Sequence, residues 1–311
     1  MLRKLIHPSY RSFFSRNLLI TGEAYNAFLA EIFLKDQLMD DEEYTYTKQI
    51  EDLIRVINGS NINLTNRFDE MELPDNSIAL HMIHGTIFAD YDPWDWYFST
   101  KQFVDDLRAA EANPKIIAHL FHINSGGGEA WYLDKAAAEV KALKKPSVSV
   151  VESVAASAAY FLAAYTNRIY AVTGYDIIGS IGTMVSFLDL IPYFESMGAK
   201  YIEEYADQSK RKNKKSNDLR KGKPEQFKRE VLNPLAEEFI NTVKDARPGI
   251  PDNDRGVYQG ETFFTQEATD LGLIDGRKSL EEVLQEIYDL GIDSGNKIKA
   301  QQNAINLIQS L

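Results

Sequence analysis

The chain has 311 residues, a formal net charge of −12 and an apolar fraction of 44%, a make-up that fits a globular protein with a real core and excludes a disordered or low-complexity chain. Its lack of cysteine excludes disulfides, thiolate metal sites and cysteine nucleophiles together, leaving the redox compartment open, and the acidic balance argues against general nucleic-acid binding. No uncharged apolar run reaches the ~18 residues that a membrane-spanning helix needs, so a soluble intracellular protein with no transmembrane segment is expected.

Met1 to Ile20 carries Arg3, Lys4, Arg11 and Arg16 among apolar residues. It lacks the uninterrupted apolar core and small-residue cleavage site of a signal peptide. A plain packed helix fits, as does a basic amphipathic helix at Arg3 to Arg16 touching a membrane or a partner. Residues 1–74 read as a mainly helical N-terminal extension with an acidic cluster at Asp40, Asp41, Glu42 and Glu43, ended by the turn Pro74-Asp75-Asn76.

Residues 75–290 read as the main domain. Ile78 to Ile83 is a buried strand, and Lys115 to Ile123 is another, apolar throughout. Between them Tyr91 to Phe98 is rich in aromatics that either line a pocket or fill the core, and Thr100 to Ala112 has helical spacing through Phe103 and Leu107. The stretch Asn124-Ser125-Gly126-Gly127-Gly128 reads as a glycine loop closing the second strand. Leu133, Ala136, Ala137, Val140 and Leu143 then form one face of a helix that stops before Pro146. Ser147 to Val151 is the next strand, and Ser157 opens a helix through Tyr160, Phe161 and Ala164. This alternation predicts an α/β fold: a mostly parallel sheet of right-handed βαβ units flanked by helices. The glycine loop and Ser157 would lie at the carboxyl edge of the sheet, where such sheets bind ligands.

Further on, eight basic residues crowd into 210–223 (Lys210, Arg211, Lys212, Lys214, Lys215, Arg220, Lys221, Lys223). They read either as a solvated loop leading into a helix or as the source of a catalytic base. Arg247-Pro248-Gly249 either closes a helix or hinges a lid. The tail, 291–311, is polar and then weakly amphipathic, and suits an oligomer contact, an autocleaved extension or disorder.

Ser157, a lone hydroxyl in Val154-Ala155-Ala156-Ser157-Ala158-Ala159-Tyr160, has what a nucleophile needs: a strand-to-helix turn, with a glycine-rich segment nearby whose N–H groups can hold an oxyanion. A small packing residue or an N-cap would look the same. The five histidines, His7, His81, His84, His119 and His122, all precede the glycine loop. A serine protease ordered nucleophile then histidine is thereby excluded, and lysine becomes the candidate base.

In combination these motifs resemble the signal peptide peptidase A family of Ser/Lys peptidases, which includes phage head-maturation proteases. The resemblance spans about Ile78 to Ile274 and extends more distantly to the Clp protease subunit and the crotonases. Ile123-Asn124-Ser125-Gly126-Gly127-Gly128 is similar to the family's Asn-Ser-Pro-Gly-Gly, and Ala155-Ala156-Ser157 to its Ala-Ala-Ser-Gly-Gly-Tyr-Tyr. Gly179-Ser180-Ile181-Gly182 matches outright, and Gly260-Glu261-Thr262, Ala268 and Leu271-Gly272-Leu273-Ile274-Asp275 resemble the closing Ala-x-x-x-Gly-Leu-Val-Asp. Gly126 stands where proline is usual, and Ala158-Ala159 replaces a glycine pair.

The resemblance implies a Clp/crotonase-like fold and a serine endopeptidase working through a Ser-Lys dyad and an acyl-enzyme. Ser157 would be the nucleophile and Lys212 the base, with Lys210 as the alternative. Ser180 would orient the lysine, while the N–H groups of Gly127 and Ala158 form the oxyanion hole. A lysine base must lose its proton, so its pKa must fall from about 10.4 towards ~7–8. Neither metal nor another cofactor is implied. The implied partners are a peptide or protein substrate and further copies of the chain, because family rings take serine and lysine from neighbouring protomers. The family's membrane anchor is not evident, so the expected setting is the cytoplasm of a bacterial cell or a phage prohead. Two other functions fit: a non-catalytic assembly or scaffold protein that kept the fold, and a crotonase-like acyl-CoA enzyme, which needs no serine-lysine pair.

Overall fold

The structure is a computed structural model that describes residues 18–20, 62–91, 97–187, 189–251 and 255–309. The expected helices of the N-terminal extension, the basic segment Arg3 to Arg16 included, lie outside the described residues.

In chain order the strands and helices are β1 (Leu18–Ile20), β2 (Leu64–Thr65), β3 (Ser77–Phe88), β4 (Phe98–Ser99), α1 (Thr100–Ala112), β5 (Ile116–Glu129), α2 (Leu133–Ala142), β6 (Ser147–Ala156), α3 (Ala158–Ala163), β7 (Arg168–Ala171) and β8 (Ile177–Gly179). There follow α4 (Ile191–Ser196), α5 (Lys214–Arg220), α6 (Glu225–Phe227), α7 (Asn233–Ala246), β9 (Thr262–Phe264), α8 (Thr265–Asp270), β10 (Gly276–Arg277) and α9 (Leu280–Gln309). A π turn over Lys228–Leu232 joins α6 to α7.

The sheet runs β10-β7-β6-β5-β3-β2, and every pair along that path is parallel. β1 and β9 add antiparallel, to β5 and β8. This is the expected α/β class, mostly parallel with helices on both faces. Strands covered on both faces read as continuous apolar runs, and β3, β5 and β6 do so for that reason. On one face Ile83, Phe121, Ile123 and Val151 pack with Phe103 and Leu107 of α1, Leu133 and Val140 of α2, and all of α3. On the other, Leu80, Met82, Leu120 and Val150 pack against Val283, Leu284 and Ile287 of α9. The helix predicted at Thr100 to Ala112 has those bounds, capped by the Ser99 hydroxyl accepting the Gln102 N–H at 3.2 Å. Tyr97 and Phe98 are buried in the core, whereas Tyr91 is exposed. α9 runs through Gly291 without a break, and its glycine lets it lie on Ile117, whose Cδ1 would be 2.8 Å from any added Cβ.

One local expectation is corrected. Asn124 to Gly128 is not a loop beyond the strand but part of β5. Glycine content suggests a turn, yet here the chain stays in the sheet because its neighbours change. β5 is paired with β6 through Ser125↔Ala155, with a register shift after Ile123. Beyond that point β1 pairs at Ile20↔Gly127 and Leu19↔Gly128, while β3 continues on the other side through Thr86↔Gly127. Gly128 approaches β3 so closely that a Cβ would come within 2.0 Å of the Ile87 carbonyl oxygen. The exchange of β6 for β1 opens the sheet where β6 turns into α3.

Candidate active site

Ser157 occupies that turn with φ 55° and ψ −122°. A non-glycine residue held in such a sparsely populated region costs on the order of 1–3 kcal/mol and persists only when its surroundings enforce it. They do so from two sides: the Ser157 N–H donates to the Gly179 carbonyl at 2.8 Å, and the Ser157 carbonyl accepts the Phe161 N–H at 2.9 Å. The alanines on either side, all buried, allow β6 and α3 to meet at this angle without a clash. The side chain is 1% exposed, and its Oγ has no hydrogen-bond partner among the described residues. The N-cap explanation therefore fails, since the hydroxyl caps nothing. Simple packing fares little better, because an unpaired buried hydroxyl costs about 1–3 kcal/mol.

Ser180 stands beside it. Ala156 pairs with Gly179 across β6 and β8, so Ser157 and Ser180 are the first residues past the ends of neighbouring parallel strands. Ser180 also has a positive φ, 53°, and its N–H donates to the Glu261 carbonyl at 2.7 Å. Gly179 must be glycine twice over: its φ is 116°, and a Cβ would come within 2.9 Å of the Glu261 oxygen. The Gly-Ser-Ile-Gly motif thus fixes the neighbouring strand end.

Ala158, the first residue of α3, is fully buried; no intrahelical acceptor reaches the N–H of such a residue. Gly127 has φ 102°, and its N–H donates to Ser125 Oγ at 3.1 Å while that hydroxyl donates to the Gly85 carbonyl at 2.6 Å. In this arrangement the Gly127 N–H faces Ser125.

No lysine hydrogen-bonds the Ser157 hydroxyl among the described residues. Lys210 and Lys212 are exposed, between the turn Asp207–Ser209 and α5, and neither makes an ion pair among the described residues. Other members of the basic run are tied down: Lys214 pairs with Asp218, and Arg220 with Asp189. Arg247 closes α7 rather than hinging a lid. Its guanidinium bonds Asp275 Oδ2 at 3.0 Å, the same oxygen that accepts the Ile169 N–H at 2.8 Å. The Tyr160 hydroxyl donates to the Leu273 carbonyl at 2.8 Å, so the closing Leu-Gly-Leu-Ile-Asp segment clamps α3 and β7 from below.

The histidines, dismissed as bases, form two relays that composition alone does not reveal. His81 Nε2 meets His119 Nδ1 at 3.1 Å and His119 Nε2 meets Glu111 at 3.1 Å. On the other face His84 Nε2 meets His122 Nδ1 at 2.7 Å, and His122 Nε2 meets Glu152 at 2.9 Å. Burial, then the neighbouring imidazole, pushes His84 down to about 3 and lowers His81. The signal was present: both pairs are separated by 38 residues, diagonal neighbours across parallel β3 and β5, whose register partners include His81↔Phe121 and Met82↔His122. No group of three or more such side chains able to hold a metal occurs among the described residues, and no described helix is long and apolar enough to cross a membrane.

Known proteins share parts of this sequence. The model of peptidase family S49 matches residues 139–291. The archaeal "Putative protease MJ0651" of Methanocaldococcus jannaschii is 24% identical over 253 residues, covering 79% of this chain and 78% of that protein. The chloroplastic serine protease SPPA of Arabidopsis thaliana is 28% identical over 181 residues, which span 56% of this chain but only 26% of that protein. Among solved structures, a 1510-N membrane protease specific for a stomatin homolog from Pyrococcus horikoshii aligns with a TM-score of 0.36 at 19% identity, over 68% of this chain and 79% of that one; at that level the likeness carries no argument about function. The matched segment runs from α2 into α9, contains both Ser157 and Ser180 and is similar to peptidase family S49, and the chain is a serine-type peptidase.

Proposed function

We propose that the chain is an endopeptidase in which Ser157 is the nucleophile and a lysine, Lys212 or Lys210, is its base. The observation that carries this is the Ser157 hydroxyl: buried, without a hydrogen-bond partner among the described residues, and held in a strained turn between β6 and α3. Oγ attacks the peptide carbonyl as its proton passes to the lysine amine. The C–N bond then breaks, the proton leaves with the amine, and an acyl-enzyme remains. Water, deprotonated by the same lysine, releases the acid and regenerates Ser157. Ser180 orients the amine, and the N–H groups of Ala158 and Gly127 stabilise the oxyanion, the latter after exchanging Ser125 for the substrate oxygen.

The base comes from a neighbouring copy. Two observations support this: Ser157 Oγ finds no partner among the described residues of its own chain, and an apolar exposed flank lies in the sequence between Ser180 and the lysines. Phe187, Leu190, Tyr193, Phe194, Met197 and Ile202 are all exposed there, and α4 buries no residue. Contiguous apolar surface of this kind marks an interaction site. Residues 75–290 form the peptidase unit, and processing of protein substrates in the bacterial cytoplasm or in a phage prohead is the setting that the sequence favours.

Labelling with a fluorophosphonate and digestion of an unfolded protein substrate test this. Both should be lost in Ser157→Ala, and digestion should be lost in one of Lys212→Ala and Lys210→Ala. Full activity in Ser157→Ala, or in both lysine variants, would remove the dyad.

A further inference from the structure

Asp176 stands one residue ahead of β8 and is 2% exposed. A buried carboxylate is costly unless its oxygens are satisfied, and three donors converge on this one. Oδ1 accepts the Ser153 N–H at 3.0 Å and the Thr173 hydroxyl at 2.8 Å, and Oδ2 accepts the Thr173 N–H at 2.7 Å. The Thr173 hydroxyl in turn accepts the Tyr175 N–H at 3.1 Å.

What these bonds join is the place where β6 changes partner. Up to Val151↔Ala171 the strand pairs with β7, and from Val154↔Ile177 it pairs with β8. In the gap Ser153 has φ 90°, a value that a side-chain-bearing residue rarely adopts. Its N–H has left the β7 ladder, and Asp176 supplies the acceptor. The carboxylate therefore fixes how far β8 slides along β6. That register puts the Gly179 carbonyl on the Ser157 N–H and sets Ser180 beside Ser157.

We propose that Asp176 is a positioning residue for the nucleophile, acting through Ser153 and β8 to hold the strained conformation of Ser157. The proposal rests on Ser157 being the nucleophile. The Ser153 and Thr173 N–H groups bond different oxygens of the carboxylate, and an amide in its place turns one of those oxygens into a donor, so one of the two N–H groups loses its acceptor. β8 is then free to shift against β6, and a displacement of about 1 Å is enough to cost on the order of 100-fold in rate.

The test uses the full chain as wild type, Ser157→Ala, Asp176→Asn and Thr173→Val. It reads the rate of fluorophosphonate labelling, kcat and KM on a fluorogenic peptide, and the thermal unfolding midpoint. Asp176→Asn is expected to remain folded at the assay temperature, to label about 10–100-fold more slowly and to lose kcat with KM little changed. A purely structural clamp would lower the midpoint and leave kcat per folded molecule intact, and that result overturns the proposal. If Asp176→Asn fails to fold, Thr173→Val decides, since it removes one of the three bonds at an exposed residue. Labelling slowed by about three-fold supports the proposal, and a wild-type rate overturns it. Label persisting in Ser157→Ala is a separate result that removes the nucleophile reading itself.

Discussion

Ser125 holds the N–H of Gly127 at 3.1 Å with the same hydroxyl that it donates to the Gly85 carbonyl at 2.6 Å. One side chain thus ties β5 to β3 where both strands are out of register, between His84 and Thr86 on one and after Ile123 on the other. Ser125→Ala leaves the N–H of buried Gly127 and the Gly85 carbonyl with no partner from this side chain. It is expected to destabilise the fold by about 1–3 kcal/mol, read as a lower midpoint in urea. Fluorophosphonate labelling of Ser157 should survive, because Ser125 exchanges no proton with the substrate. Complete loss of labelling in a folded Ser125→Ala protein would make Ser125 part of the reacting machinery instead.

Gly128 sets a harder limit. Its missing Cβ would sit 2.0 Å from the Ile87 carbonyl oxygen and 2.6 Å from the Ile87 nitrogen, both backbone atoms of a central strand that cannot swing aside. Gly128→Ala is expected to prevent folding or to cost more than about 3 kcal/mol. Gly85→Ala makes a control, since it meets no neighbour within 4 Å and bears only the strain of φ 66°. Circular dichroism of the two purified variants should separate them, Gly85→Ala keeping a cooperative transition and Gly128→Ala lacking one.

The parallel sheet and the place of Ser157 were legible because each depends on local pattern. Phe103 and Leu107 at helical spacing, the apolar run ending at Ile123, and a hydroxyl among alanines after Val151 are each visible in a short window. What escaped depends on register between distant strands. Asn124 to Gly128 reads as a loop until β1 is known to pair with it. The two histidine relays exist only because β3 and β5 lie side by side in a register that makes residues 38 apart diagonal neighbours. Asp176 looks like any turn aspartate until β6 is seen to leave β7 for β8. The choice of lysine was illegible for another reason: Lys210 and Lys212 are exposed, and nothing within one chain selects between them.

The relays make stability depend on pH in a stated direction. His84 is pushed down to about 3, by burial first and His122 second, and His81 is lowered in the same way. As pH falls through about 6.5 an unfolded chain takes up these protons while the folded chain does not. Stability is therefore fully present above pH 6.5 and declines as pH falls towards the folded value of about 3. For His84 the loss is on the order of a few kcal/mol across that window. Glu152, held low by its bond to His122, acts in the same direction at the acid end, discounted because its side chain is half exposed. His84→Gln should flatten the decline between pH 6.5 and 4 in urea titrations. An unchanged slope would mean that the pair already carries a shared proton when folded.

Subunit mixing tests the source of the base. If Ser157 is served by a lysine from its neighbour, Ser157→Ala and Lys212→Ala are each inactive alone, but mixed assemblies contain interfaces in which an intact serine faces an intact lysine. With random exchange in equal amounts, about a quarter of the sites regain both groups, so roughly a quarter of the wild-type rate should appear after the subunits are dissociated and reassembled together. The same mixture with Lys210→Ala in place of Lys212→Ala identifies the base, since only the lysine that matters is inactive alone and complemented in the mixture. The apolar flank supplies the control: Phe194→Asp, at an exposed position of α4, should abolish assembly and complementation together while leaving the monomer folded. Activity in a Phe194→Asp protein that sediments as a monomer would place the base within the chain of its own serine.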